Sequence, residues 1–277
     1  MSAILHISST KQSTIMKPLH FFVIVSFAFF FSSCSSDELD EKKGFQVSPT
    51  SENENEDPID GFNRDSLGMF TKPSGVLLTG VSNVRLTPIY KVNINESDNT
   101  TFIGSTRFHE SYENDDSDKT NNWNNNIIPG FEAAYGFNLV NVSHYDVTEN
   151  TQKYFFEKPA LIRTLYYPTF SKDTLNNIPV QRAFFMASVY NDDTNKDGFI
   201  NLKDLRRFYL FNIHGEKQSA LVPENYAVFK SEYDSANDFM YVFAQLDSNN
   251  NGQQDASEPI HIFWIDLKDP SKTGRVL

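Results

Sequence analysis

The sequence predicts an all-β fold, an antiparallel strand meander with internal repeats, and three observations predict it. Apolar runs are short and bounded by turn residues: "GVLLTGV", "NVRLTPIYKVNI", "FNLVNVSHY", "KYFF", "ALIRTLYY" and "VQRAFFMASVY". Runs of this length, rich in aromatic and β-branched residues, favour strands, and no segment of the body shows the sustained 3.6-residue period of a helix. The chain is also very aromatic, with 25 Phe and 12 Tyr in 277 residues, side chains that suit a half-buried pleated surface. Finally, the C-terminal half repeats itself: "FMASVYND" (185–192) aligns with "FMYVFAQL" (239–246), and "FYLFNI" (208–213) with "IFWIDL" (262–267), both at an offset of 54. A fixed period of this size marks a repeat architecture.

From the N-terminus, residues 1–15 are read as an overrun of the start site. Residues 16–34, "MKPLHFFVIVSFAFFFSSC", follow with a basic start, an eleven-residue apolar run and small residues before a cysteine. That is the pattern of a secretory signal, too short for a spanning helix. Cys34 is the single cysteine of the chain and stands where a bacterial lipoprotein signal is cut and lipid-modified. No disulfide can form within the chain. Residues 35–60 hold nine acidic and two basic residues with little to bury and read as a disordered, self-repelling tether. The remainder, 61–277, is long enough for one domain with a sizeable core, with repeat units at about 180–230 and 231–277. It carries a net −7 of the formal −12 and no basic patch, which disfavours nucleic-acid binding.

An earlier copy of the unit is visible where "SHYDVTENTQKYFF" (143–156) matches "SEYDSANDFMYVFA" (231–244). The arrangement is propeller-like if a plain unit of 34 residues repeats, and otherwise a two-layer β-sandwich.

The chemistry lies between the repeated strands. A calcium ion takes six to eight oxygens, and a twelve-residue loop supplies them from positions 1, 3, 5, 7, 9 and 12, with Gly at position 6 for the turn. In "DTNKDGFINLKD" those positions are Asp193, Asn195, Asp197, the Phe199 carbonyl, Asn201 and Asp204, with Gly198 sixth and Ile200 as the apolar eighth residue. In "DSNNNGQQDASE" they are Asp247, Asn249, Asn251, the Gln253 carbonyl, Asp255 and Glu258, with Gly252 sixth. The loops differ at position 12, where the first offers a shorter Asp204 and the second a Glu, and at position 8, where the second has Gln254. Two Ca2+ sites are expected, structural in role, because a cation cross-links a long polar connection that is otherwise costly to order.

On the lipoprotein-like start, the acidic "CSSDELDE" and these two loops set among aromatic strands, the chain resembles a group of surface lipoproteins of Bacteroidota. The resemblance implies anchoring to outer-membrane lipid through Cys34 and export to the outer face of that membrane. The loops resemble those of EF-hands and dockerins in ligand spacing, without the flanking helices, and also resemble strand-embedded calcium loops of some β-propellers.

No GxSxG, HExxH, phosphate-binding glycine loop or CxxC is present. Ser143, His144 and Asp146 are close in sequence, but neighbours on a strand face opposite ways and form no triad among themselves. His109, His144, His214 and His261 are scattered and read as structural or surface residues. No catalytic residue is assigned. In "SYENDDSDKTNNWNNNIIPG" (111–130), Trp123 is the candidate contact for a glycan or protein ligand, against the alternative that it folds back into its own loop. The expected function is calcium-stiffened binding or scaffolding at the cell surface; the rival is a glycan-acting hydrolase whose loops calcium holds.

Overall fold

A computed structural model describes residues 44–47, 71–95, 100–103, 123, 128–136 and 138–277. The expected leader, Cys34, most of the expected tether and His109 lie outside the described residues. Among the described residues there is no α-helix. The strands are β1 (Phe45–Gln46), β2 (Thr71–Pro73), β3 (Leu77–Leu78), β4 (Val84–Asn95), β5 (Thr100–Ile103), β6 (Phe131–Tyr135), β7 (Leu139–Asp146), β8 (Thr151–Tyr154), β9 (Leu161–Pro168) and β10 (Asp173–Leu175). They continue with β11 (Ile178–Val180), β12 (Phe184–Tyr190), β13 (Phe199–Ile200), β14 (Arg207–Asn212), β15 (Lys217–Ala220), β16 (Tyr226–Asp234), β17 (Phe239–Leu246), β18 (Ile260–Asp266) and β19 (Thr273–Arg275). The predicted all-β, antiparallel class is what the chain adopts.

Three larger sheets carry the fold. An N-terminal sheet runs β2-β4-β7-β8, with β3 and β5 also on β4; a central sheet runs β6-β9-β12-β14-β15; a C-terminal meander runs β16-β17-β18-β19. Their layering follows from side-chain alternation along a strand. On the central sheet Phe184, Met186, Phe208 and Leu210 turn to one face and pack with Val228, Met240, Val242, Phe263 and Ile265 of the C-terminal sheet. Phe185, Ala187, Val189, Tyr209 and Phe211 turn to the other and pack with Val84, Leu86, Leu139 and Val142 of the N-terminal sheet. The sandwich expectation of two layers is therefore corrected to three. The reason is that β9 and β12 are buried at every position: a strand apolar on both faces needs cover on both.

The repeat is built into this stack. β12 and β14 are antiparallel neighbours joined through the first loop, and β17 and β18 are antiparallel neighbours joined through the second. Registers differ by one residue: Phe185 faces Phe211, while Phe239 faces Asp266 rather than Ile265. The upstream match is a shared hairpin. In β7–β8, Asp146 Oδ1 accepts the Thr148 and Glu149 N–H groups, and Asn150 closes the turn at φ 55°. In β16–β17, Asp234 Oδ1 accepts those of Ala236 and Asn237, and Asp238 closes it at φ 62°. These backbone bonds hold the Asp146 carboxyl below its ordinary range; for Asp234 the Asn237 side-chain amide contributes most. The unit boundary expected at 230/231 falls inside β16.

Two further expectations are corrected. The tether is not structureless throughout, since Phe45–Gln46 pairs with Ile200 and Phe199 as β1 on β13; Phe45, apolar in a polar stretch, has a core to join. Trp123 is not displayed for a ligand. It is 8% exposed, packed edge-on to Phe208 with ring centroids 5.1 Å apart and under the Arg206 guanidinium at 4.5 Å, so it plugs the core between the central and C-terminal sheets.

Candidate metal centre

The two loops fold alike, residue for residue, in the half that precedes β13. Asp193 Oδ1 accepts the Asp197 N–H at 3.1 Å and its Oδ2 that of Gly198 at 3.0 Å; Asp247 takes Asn251 at 3.1 Å and Gly252 at 3.0 Å in the same way. At position 3, Asn195 and Asn249 accept the N–H of position 5. At position 5, Asp197 and Asn251 accept the N–H of position 7. Position 4 is left-handed in both, Lys196 at φ 60° and Asn250 at φ 57°, and so is the glycine at position 6, at 89° and 73°. Such a series of Asx turns winds the chain about one centre, bringing side-chain oxygens of positions 1, 3 and 5 to one side.

Position 12 closes each loop, and here the pair diverges. Asp204 Oδ1 accepts the Thr194 and Asn195 N–H groups at 2.7 and 3.3 Å, and Oδ2 accepts that of Asn201 at 2.9 Å. Both its oxygens are engaged by backbone, and burial pushes this carboxyl up to about 6. Glu258 reaches the equivalent amides, Ser248 at 2.7 Å and Asn249 at 3.2 Å, with Oε1 alone. Its Oε2 is buried with no hydrogen-bond partner, on a side chain 8% exposed. A buried carboxylate oxygen left unpaired costs folding free energy unless a cation or donor meets it. In the same loop, Asp255 Oδ2 accepts the side-chain amides of Asn249 and Asn251 at 2.8 and 2.7 Å, and Gln245 Nε2 donates to the Asp255 and Glu258 carbonyls, locking the loop's far end.

The loops touch. The Thr194 hydroxyl donates to the Gly252 carbonyl at 2.6 Å and accepts the Leu205 N–H at 2.8 Å. A Cβ on Gly252 would run into the Thr194 carbonyl, so glycine is required there twice, for its φ and for this approach.

Asn201 and Phe199 sit apart from the first three ligand positions by function. Asn201 Oδ1 accepts the Lys203 N–H at 2.7 Å, and Phe199 lies in β13. Among the described residues no group of three His, Cys, Asp or Glu side chains converges as a metal cluster. Asp193, Asp197, Asp204, Asp247 and Glu258 instead accept backbone N–H groups, and Asp255 accepts side-chain amides. His144 is buried, its Nε2 2.9 Å from the Ile213 carbonyl oxygen. His261 shares a hydrogen bond of 2.8 Å with the Tyr226 hydroxyl through Nδ1, and His214 is exposed. His261 follows Glu258 by three residues at the start of β18, and its ring is turned to Tyr226. What sequence reading missed is the strand that braces the first loop; its one signal was the lone Phe45 in an acidic stretch. Comparison with known proteins finds no family model and no curated protein that matches the chain.

Proposed function

We propose that this chain is a lipid-anchored cell-surface protein whose three-layer β domain is stiffened by calcium in two EF-hand-type loops, serving a binding or scaffolding role. The observation that carries the calcium reading is the buried, unpartnered Oε2 of Glu258 at the closing position of a loop whose remaining turns are already wound. A hard dication satisfies that oxygen and draws the side-chain oxygens of Asp247, Asn249, Asn251 and Asp255 with the Gln253 carbonyl into one shell. In the first loop the corresponding set is Asp193, Asn195, Asp197, Asn201 and Asp204 with the Phe199 carbonyl. The loops join neighbouring strands, so a cation there fixes strand connections and not a moving helix pair. That favours a structural role over calcium sensing, which works by reorienting helices.

The propeller-like reading of the repeat draws support from the stacking of antiparallel meanders and from the shared hairpin of β7–β8 and β16–β17. The anchor rests on the sequence pattern ending at Cys34. The test of the calcium reading is thermal unfolding in millimolar calcium and in excess chelator, for the chain and for Asp193→Ala and Asp247→Ala. The expected result is a calcium-dependent rise in melting temperature that each substitution roughly halves; no rise in any of the three would reduce both loops to polar turns.

A further inference from the structure

We propose that residues 44–47 form a strap that docks by strand addition on the first calcium loop, and that its docking and calcium binding in that loop reinforce each other. The inference rests on the calcium reading above. Phe45 faces Ile200 and Gln46 faces Phe199 in antiparallel register, and the Val47 N–H donates to the Gly198 carbonyl at 2.9 Å. The strap thus covers positions 6, 7 and 8 of the loop, the stretch that contributes the backbone ligand.

Three features make this a built site. Phe45 is 5% exposed and packs with Ile200, Ile89, Val140, Leu161 and Tyr190, so the loop's apolar eighth residue has its cover from the strap. Gly44 lies against the loop so closely that a Cβ there would overlap the Ile200 carbonyl oxygen and crowd Asn201. Lys91, buried on β4, donates from Nζ to the Gly44 carbonyl at 2.7 Å and so pins the strap from the other side.

The coupling follows from strand geometry. Carbonyls of an extended strand alternate sides. With those of Gly198 and Ile200 turned toward the strap, that of Phe199 is turned away, into the loop, where the seventh-position carbonyl is a calcium ligand. Docking therefore pre-orients one ligand and bounds the Asn201 ligand beside it. Calcium, by holding the Phe199 carbonyl, holds the strand to which the strap binds. Two binding events that favour one conformation assist each other by the same factor in both directions.

The test uses the full chain carrying Glu258→Gln, so that the first loop dominates calcium binding, with and without Phe45→Ala, and with Val47→Pro as a second strap variant. Val47 is itself exposed, and proline there removes the N–H that meets Gly198 while favouring the extended backbone that Gln46 already adopts in β1. Calcium titration calorimetry and hydrogen exchange at the Val47 amide are read together. The expected result is slower exchange at Val47 in calcium, and a calcium affinity weakened about fivefold or more by either strap variant, the lower bound of typical coupling. Calcium binding with unchanged Val47 exchange, or an affinity that neither strap variant changes, overturns the coupling while leaving the calcium reading intact. If no loop of the unsubstituted chain titrates, the calcium reading falls and the coupling with it.

Discussion

Glu258→Gln is the perturbation that most directly separates a cation site from a polar turn. The substitution keeps an Oε1 acceptor for Ser248 and Asn249 and replaces the unpartnered Oε2 with an amide donor. Without a cation the fold loses little, because a buried unpaired anionic oxygen has been exchanged for a neutral group. With a cation it loses a full ligand charge. Two unit charges about 4 Å apart interact by about 4 kcal/mol at an effective dielectric of about 20, and about twice that for a dication. Discounting by about two thirds for the amide dipole that remains and for water drawn in leaves about 2.7 kcal/mol, or about a hundredfold weaker binding.

At a calcium concentration about 100 times the dissociation constant, one site stabilises the native chain by about 2.7 kcal/mol; at a concentration equal to it, by about 0.4 kcal/mol. The substitution therefore removes about 2.3 kcal/mol, which at about 2–4 °C per kcal/mol for a domain of this size is a fall of about 5–9 °C in calcium. In chelator the variant should melt at the temperature of the unsubstituted chain or above it. The assay is circular dichroism melting of both proteins in both buffers. An equal fall in chelator and calcium would show that Glu258 acts only as a backbone cap, and no fall in calcium would show that no cation meets it.

Gly252→Ala should cost more than Gly198→Ala in urea unfolding. Both residues are left-handed, but a Cβ at 198 meets open space while one at 252 meets the Thr194 carbonyl; strain alone is worth about 1–2 kcal/mol, and the clash adds to it. Asp238→Ala should destabilise by about 3–5 kcal/mol, since it strands the buried Arg182 guanidinium, now held by both Asp238 oxygens at 2.9 and 2.8 Å and by the Leu267 and Pro129 carbonyls; chemical unfolding of the single and double variants measures the coupling. His144 is lowered below its ordinary value of 6.5, chiefly by burial. The unfolded chain thus binds this proton more readily than the folded one, so the contribution is complete above about pH 6.5 and is lost as pH falls through the folded value. Melting temperature in chelator should drop below that pH, and His144→Gln should flatten this part of the profile.

Much of this was legible because the loops and strands carry local signals. Gly198 and Gly252 stand at fixed offsets from Asp193 and Asp247, and each element of that spacing is a turn requirement the chain must meet within a dozen residues. The strands were legible from apolar runs, and the unbroken "RAFFMASVY" held the further signal that β12 is covered on both faces, which distinguishes three layers from two. Trp123 and Phe45 were not legible. Both stand as lone aromatics in polar sequence, where composition points to solvent, and both are buried because a distant surface, Phe208 with Arg206 in one case and Ile200 with Leu161 in the other, has room for a ring. No periodicity within ten residues reports a partner more than 80 positions away.

The two loops share a backbone but do not stand in equal need of a cation. In the first, the protein supplies most of what holds the loop: Asp204 spends both oxygens on three amides, and the strap covers Ile200. Its one unpartnered buried group is the Asn201 Nδ2, a donor, which a cation does not satisfy. In the second, positions 7 and 8 are the exposed Gln253 and Gln254, no strap lies on them among the described residues, and the unpartnered group is a carboxylate oxygen. Under the proposed calcium reading, the second loop is therefore the one with more to gain from a cation. Because the Gly252 carbonyl receives the Thr194 hydroxyl, and Thr194 in turn adjoins Asp204, a cation in the second loop also steadies the closing residue of the first.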